Sequence, residues 1–191
     1  MKGENRLNQV LVIIDVQQAL LDGNHEEKAV FQKEQLIHNI NLVIDKASKA
    51  NIPIVFIRDL DVAGGTGEGF EIHNGINVPS YAKLFDKMAT NCFYGTKLLE
   101  YLQSLETEHI VVMGCSTQHC IDSAVRTATV NGMDVTLVGD GHSTIDNDVL
   151  SAEQIIKHHN NTLHGHYNVD HFSVVRKAQE DLFHPTHDSY R

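Results

Sequence analysis

The sequence predicts an α/β fold in which a mainly parallel sheet is covered by helices on both faces. Short apolar runs rich in β-branched residues alternate along the chain with segments that repeat apolar residues at helical spacing. Strands that alternate with helices form right-handed βαβ units, and such units build parallel sheets. The 191 residues suit a single domain spanning 1–191, because no linker or internal repeat divides the sequence.

Each predicted element has its own pattern. Val10–Ile14 is a continuous apolar run that ends at Asp15, as is typical of a strand buried on both faces. The segment Ile121–Ala128 repeats apolar residues at i, i+3, i+4 and i+7, which predicts a helix face. In chain order, the predicted elements are the strand Val10–Ile14, the helix Lys33–Lys49, the strand Ile52–Ile57, the helix Leu98–Leu105, the strand His109–Met113, the helix after Cys120, the strand Val135–Val138, the helix Leu150–Leu163 and a short strand Phe172–Val175.

Composition and charge narrow the classes of function. The chain has 25 acidic and 15 basic residues and no block of Lys or Arg, which argues against nucleic-acid and anionic-membrane partners. No apolar run reaches membrane-spanning length. Three cysteines without a disulfide framework, and a polar N-terminus without a signal-peptide pattern, predict a reducing, cytoplasmic location. The glycine-rich loop Gly64–Gly69 matches no phosphate-binding pattern.

The segment Gly114–Cys120 carries the strongest chemical signal. An apolar run that breaks at glycine before a helix predicts a strand–turn–helix corner, and ligands of open α/β sheets bind beside such corners. If Thr117 caps the helix, Cys120 occupies its third position, where the helix N-terminus favours a thiolate and a developing oxyanion. Cys120 is therefore a candidate nucleophile, whereas Cys115 stands nearer the sheet and is expected to pack in the core.

A nucleophilic thiol needs a proton acceptor nearby. His119 is a poor candidate, because the side chains of adjacent helical residues diverge by about 100°. Asp15, at the carboxyl end of the first strand, is better placed, although a carboxylate there also suits a plain turn. Composition alone does not distinguish Lys87 from a solvated lysine such as Lys83.

Three motifs, in order along nearly all of the chain, resemble those of the isochorismatase-like (cysteine hydrolase) superfamily. Val12–Gln17 resembles the first-strand motif that ends in a catalytic Asp. Lys87–Leu98 resembles the motif that carries a catalytic Lys, and Gly114–Ala124 resembles the motif of the nucleophilic cysteine. Any one of these motifs is weak evidence, but all three in order are strong.

The resemblance implies a three-layer α/β/α sandwich with a central, mainly parallel, Rossmann-like sheet, and a catalytic triad of Asp15, Lys87 and Cys120. In the implied mechanism, Asp15 accepts the thiol proton, while Lys87 keeps Asp15 ionised and lowers the thiol pKa. The thiolate attacks a carbonyl carbon, and water later hydrolyses the thioester. The backbone N–H groups of Ser116 and Cys120 form the oxyanion hole beside a cis Cys115–Ser116 peptide. The expected substrate contacts are Gln17, Phe70, Asn91, Tyr94 and Thr117.

Several members of this superfamily bind a metal through an Asp-x-His pair after the second strand. Here that stretch is Asp59-Leu60-Asp61, without the histidine, so no metal and no cofactor is expected at the site. The histidines near the C-terminus do not meet zinc-site spacings either. They are His158, His159, His164, His166 and His171.

The leading prediction is a hydrolase of C–N bonds in a small amide, ureido or lactam-like substrate. True isochorismatases cleave a vinyl ether and lack the nucleophilic cysteine, so Cys120 favours acyl chemistry. Ether hydrolysis with Asp15 as general acid is the second enzymatic candidate. A catalytically idle scaffold of the same fold, and a thiol redox sensor that uses Cys115 and Cys120, are candidates from outside hydrolytic chemistry. The resemblance also implies a homodimer or homotetramer.

Overall fold

One seven-stranded sheet runs through the residues that the computed structural model describes, which are 7–23, 28–184 and 187–190. The strands are β1 (Gln9–Ile14), β2 (Ile54–Asp59), β3 (Lys83–Lys87), β4 (His109–Cys115), β5 (Asp134–Ser143), β6 (Tyr167–Asn168) and β7 (His171–Arg176). The helices are α1 (Gln18–Asp22), α2 (Lys33–Lys49), α3 (Gly67–Phe70), α4 (Leu98–Ser104), α5 (Asp122–Val130) and α6 (Ala152–Leu163). The strand order is β3-β2-β1-β4-β5-β7-β6, and every neighbouring pair is parallel except the β6–β7 hairpin.

Apolar side chains leave the sheet alternately on its two faces and build a core on each. Leu11 and Ile13 of β1 pack with the buried stripe of α2, which includes Ile40. Val10 and Val12 point to the opposite face and join the apolar residues of α4 and α5. This alternation follows from the period of two along a strand. The predicted α/β/α sandwich with a mainly parallel sheet is confirmed.

Several strands differ from their prediction. β6 has no predicted counterpart, and β2 begins and ends two residues later than the predicted Ile52–Ile57. β3 was not predicted, because it is an edge strand with mostly exposed side chains and therefore lacks the apolar run of a buried strand. β5 extends beyond the predicted Val138 to Ser143, through a Gly- and Asp-containing stretch whose pairing with β4 includes a register shift. By contrast, α2 has the predicted bounds.

The backbones of β1 and β4 approach closely at Gly114. Its φ is +122°, and a Cβ there would overlap the carbonyl oxygen of Ile14, so only glycine fits this position. The contact brings together the carboxyl ends of the two central strands, which carry Asp15 and Cys115. Among the described residues, no helix is long and apolar enough to cross a membrane.

Candidate active site

Four polar side chains meet at the carboxyl edge of the sheet. Asp15 directly follows β1, Asp59 ends β2, Lys87 ends β3, and Cys120 lies in the turn after β4. Because the strands are parallel, their carboxyl ends share one edge, and β2 and β3 pair with Asp59 directly opposite Lys87. The four side chains therefore converge without a long loop to carry any of them.

Lys87 lies at the centre of this group and is 1% exposed. Its Nζ is 2.9 Å from Asp15 Oδ2 and 3.4 Å from Cys120 Sγ, and it also forms an ion pair with Asp59 Oδ2. Burial by itself lowers the pKa of Lys87, but the attraction of Asp15, the Cys120 sulfur and Asp59 outweighs burial and holds the pKa above its ordinary value. Lys87 is therefore a permanent cation beneath the site.

Asp15 is poised between its two protonation states. Burial raises the pKa of Asp15 from 3.8 to about 6, although Lys87 opposes the rise. Its Oδ1 is buried and makes no hydrogen bond to a nitrogen or oxygen of the described residues. Asp15 also has a φ of +51°, a left-handed conformation that Asp tolerates better than most residues. At neutral pH the carboxylate is ionised, and it lies within hydrogen-bond reach of the Cys120 thiol.

The Cys120 thiol is protonated at neutral pH, which corrects the expectation of a lowered thiol pKa. Burial and the negative charge of Asp15 raise the pKa of Cys120 to about 12, and the opposing attraction of Lys87 is smaller. The helix N-terminus and Lys87 both favour a lowered thiol pKa. The Asp15 carboxylate and the burial of the sulfur act in the opposite direction and are the larger effects.

The turn that carries Cys120 is a π turn over Thr117–Ile121, with Ser116 in the capping position. The N–H of Ile121 donates to the Ser116 carbonyl at 3.3 Å, which is the wider spacing of a π turn. This corrects the expectation that Thr117 caps an α-helix with Cys120 at its third position. The Cys115–Ser116 peptide is cis, as the resemblance implied.

A cavity of about 450 Å³ opens above these side chains. Its floor includes Asp15 and Cys120, and Ser116 lies beside them. The complete lining is Asp15, Ala19, Leu20, Asp59, Asp61, Val62, Ala63, Thr90, Ser116, His119 and Cys120. The cavity thus combines the thiol of Cys120 with the carboxylates of Asp15, Asp59 and Asp61 and a small apolar wall.

The five residues expected to contact substrate lie outside this lining. Gln17 is buried and exchanges two hydrogen bonds with the Asp59 backbone, and Thr117 bonds His142 at 2.9 Å. Asn91 donates to Thr127 and accepts from the Phe93 N–H. Phe70 is buried under the Arg58 guanidinium, and Tyr94 is exposed. Their hydrogen bonds and packing make Gln17, Asn91, Thr117 and Phe70 supports of the surrounding structure rather than parts of the cavity wall.

Asp59 is the site residue that sequence reasoning missed. Its Oδ2 shares Lys87 with Asp15, and its Oδ1 accepts the Asp61 N–H at 3.0 Å. In the sequence, the stretch Asp59-Leu60-Asp61 stands out only by the histidine that it lacks. Its position at the end of the second parallel strand was the available signal, since such ends meet the site edge.

The ligand atoms of Asp15, Asp59 and Cys120 lie within 4.8 Å of one another, a spacing compatible with a metal. However, the Lys87 ammonium contacts all three side chains, so a cation between them would meet a like charge already in place. The residue after Leu60 is Asp61 rather than a histidine. These residues do not fit the metal site of the metal-binding relatives.

Comparison with known proteins shows the family. The family model described as the isochorismatase domain matches residues 9–158. The chain belongs to the isochorismatase family. This is a family of hydrolases. An uncharacterized isochorismatase family protein of Bacillus subtilis, YrdC, is 25% identical over 137 residues, which cover 69% of this chain and 72% of that protein.

Two solved structures share the fold of this chain. An isochorismatase from Pseudomonas putida has a TM-score of 0.78 and 27% identity, covering 90% of this chain and 88% of that one. N-carbamoylsarcosine amidase from Thermoplasma acidophilum has a TM-score of 0.73 and 17% identity, covering 91% and 98% of the two chains. At that identity, the second likeness shows the shared fold.

Proposed function

We propose that this chain is a cysteine hydrolase that cleaves a C–N bond of a small amide or ureido substrate through a thioester. The observation that carries the proposal is the contact of Lys87 Nζ with both Asp15 Oδ2 and Cys120 Sγ at the floor of the cavity, at 2.9 and 3.4 Å. A base, a cation and a thiol within contact distance are what acyl transfer by a protonated cysteine requires. The likeness in fold to N-carbamoylsarcosine amidase supports the choice of C–N chemistry.

The reaction has two halves. Cys120 Sγ bonds to the carbonyl carbon while its proton passes to Asp15, and the C–N bond then breaks as Asp15 returns that proton to the leaving nitrogen. Asp15 next takes a proton from water, whose oxygen attacks the thioester. The C–S bond then breaks, and Asp15 returns the proton to Cys120 Sγ as the acid is released. The backbone N–H groups of Ser116 and Cys120 stabilise the oxyanion, and both residues line the cavity.

Lys87 keeps the Asp15 carboxyl group ionised, which is the form that can accept a proton. Its charge favours the Asp15 carboxylate over the carboxylic acid, and it stabilises the developing thiolate at 3.4 Å. Because Lys87 itself stays charged, it acts on the reaction by attraction and does not exchange a proton with substrate.

Hydrolysis of a vinyl ether is the second candidate. A pKa of Asp15 near 6 also suits a general acid, which is the role that ether cleavage requires. The two chemistries differ in their need for Cys120, since protonation of an ether requires no nucleophilic sulfur.

The deciding experiment compares wild type with Cys120→Ala on small amides, ureido compounds and isochorismate. We expect amine or ammonia release from wild type and a loss of at least about 10³-fold in the variant. Cys115→Ala and Cys92→Ala make the same chemical change at buried thiols outside the cavity lining, so they are the matched controls. Isochorismate turnover that survives Cys120→Ala would establish ether hydrolysis instead, and inactivity of wild type on every compound would favour an idle scaffold.

A further inference from the structure

The cavity is acidic, and its acidity is not neutralised within the described residues. Asp15, Asp59 and Asp61 line it, and the one ammonium beside them belongs to the buried Lys87. Three carboxylates and one ammonium leave a formal charge of −2 while the Cys120 thiol is neutral. His119 also lines the cavity, and a single positive charge would not cancel this excess.

Asp61 is the carboxylate available to a ligand. Its side chain is exposed and makes no hydrogen bond or ion pair with another described residue, while its backbone N–H holds Asp59 at 3.0 Å. Contacts connect the nucleophile to this rim, because Cys120 touches Lys87, Lys87 touches Asp59, and Asp59 touches Asp61. Cys120 and Asp61 line the same cavity, so a substrate whose carbonyl carbon reaches Cys120 shares that cavity with the Asp61 carboxylate.

A second observation points to a ligand at the floor. Asp15 is 1% exposed, lines the cavity, and has a buried Oδ1 without a nitrogen or oxygen partner among the described residues. The Cys120 thiol is the side-chain donor beside this carboxylate, and a carboxylate oxygen can accept a second hydrogen bond. Such atoms are usually paired with a partner that completes them. The N–H of an amide substrate, which later becomes the leaving amine, supplies a donor of this kind.

The nearest arginine does not offset the acidity. Arg58 precedes Asp59 on β2, so its side chain points to the other side of the strand. There it bonds both carboxylate oxygens of Asp86, at 2.9 and 3.1 Å, and Glu71 at 2.8 Å. None of the described lining residues is a lysine or arginine that would receive a substrate carboxylate.

We propose that the substrate carries a positive charge next to the scissile amide, with Asp61 receiving that charge at the rim of the cavity. The proposal rests on the proposed function, and it excludes anionic substrates such as carbamoyl-amino acids and maleamate-like amides. Fields of one sign that are focused in a cleft commonly change association rates by about 10–10³-fold.

The first test measures charge preference without requiring turnover. Three methanethiosulfonates that transfer a trimethylammonioethylthio, a methylthio or a sulfonatoethylthio group form a disulfide with Cys120 and release methanesulfinate. The labelling rate is measured from the increase in intact protein mass with time. The rate of Cys120→Ala is subtracted to remove labelling at other thiols. Each corrected rate is then divided by the rate of the same reagent with free mercaptoethanol. We expect the corrected cationic rate to exceed the anionic rate at least about tenfold, and the ratio to fall several-fold in Asp61→Asn and in high salt. A ratio near one, or one unchanged by Asp61→Asn, overturns the proposal.

The second test uses the reaction itself. β-Alaninamide, butyramide and succinamate are amides of similar length with a positive, neutral and negative end. We expect kcat/KM to decrease in that order, with the spread narrowed in Asp61→Asn and retained in Asp45→Asn, an exposed acid on α2 that does not line the cavity. A charge preference in labelling without hydrolysis of any amide would overturn the proposed function alone. Hydrolysis that favours succinamate would overturn the substrate class alone.

Discussion

At the scale of single residues, we expect the protonation state of Asp15 to set the pH range in which the site is active. Its burial raises the pKa to about 6, and only the ionised carboxylate accepts the Cys120 proton. We therefore expect kcat/KM to fall tenfold per pH unit below about pH 6, as measured in a pH–rate profile with a substrate that does not itself titrate.

Asp59→Asn tests the assignment of this acid limb. The variant removes a negative charge that raises the Asp15 pKa, and it leaves Lys87 to Asp15 alone, so the limb should move to lower pH. An unchanged limb in Asp59→Asn would assign the titration to another group.

The buried charge also has a cost in stability. The folded pKa of Asp15 lies above its unfolded value of 3.8, so the folded state loses stability as the pH rises through about 6. The rise corresponds to about 3 kcal/mol at neutral pH. Asp15→Asn should therefore lose activity by about 10²–10⁴-fold and yet unfold at no lower urea concentration than wild type at pH 7.

Lys87→Met is the contrasting variant. It leaves the carboxylates of Asp15 and Asp59 without their cation, and loss of one partner of a buried pair costs about 3–5 kcal/mol. If Asp15→Asn proved as unstable as Lys87→Met, Asp15 would be a structural member of the ion pair and not a destabilised base.

The sequence allowed some of these residues to be predicted by reasoning and others only by resemblance. Asp15 and Cys120 follow apolar runs, so their places at strand ends are readable from local pattern. Lys87 ends an exposed edge strand without such a run, and it was identified through the family motif. The direction of the Cys120 pKa was mistaken because it depends on burial and on a carboxylate more than 100 residues away in sequence.

At the scale of elements, hydrogen bonds from the π turn to β5, and from β5 to α6, fix the position of the turn. His142 Nδ1 accepts from Thr117 Oγ1 and its Nε2–H donates to Asn160 Oδ1, each at 2.9 Å, while the Asn160 amide donates to the Gly139 carbonyl. Burial lowers the pKa of His142 to about 4, so the ring is neutral and this pattern persists near pH 7.

We expect His142→Leu to lower the free energy of unfolding by about 2–4 kcal/mol, because it leaves Thr117 and Asn160 with unpaired buried atoms. It should also lower kcat by loosening the turn that carries Cys120. The matched control is His158→Leu on the exposed side of α6, with an expected change within about 0.5 kcal/mol in urea unfolding. Equal effects of the two substitutions would contradict a role for His142 in holding the turn.

Helices and strands were predictable where burial of one face, or of both, produces a regular pattern of apolar residues in the sequence. The α2 bounds follow from its apolar stripe, and the central strands follow from continuous apolar runs. β3 and the end of β5 were not predictable in this way, because an edge position and hydrogen-bonded polar residues leave no such pattern. The π turn differs from an α-helical start only in its hydrogen bonds, which composition does not encode.

At the scale of the whole molecule, we propose that the chain associates into a homodimer or homotetramer. Val130, Tyr167 and Val169 are large apolar residues left exposed near the β6 end of the sheet, where β6 contacts α5. Sedimentation equilibrium at micromolar concentration should report a mass of two or four times 21.3 kDa. We expect Val169→Asp to lower that mass, and a wild-type mass of a single chain would contradict the proposal.

The contact between Gly114 and the Ile14 carbonyl has a consequence for how such an enzyme acquires new substrates. Backbone atoms alone set the distance between β1, which precedes Asp15, and β4, which precedes Cys120. This distance therefore does not depend on the side chains that line the entrance of the cavity. Those residues, including Leu20, Asp61 and Ala63, belong to α1 and the turn after β2. We expect libraries of variants restricted to these two segments to change which substrates are accepted while the arrangement of Asp15 and Cys120 stays the same. A side chain at Gly114 would disrupt that arrangement, and with it both substrate binding and reaction.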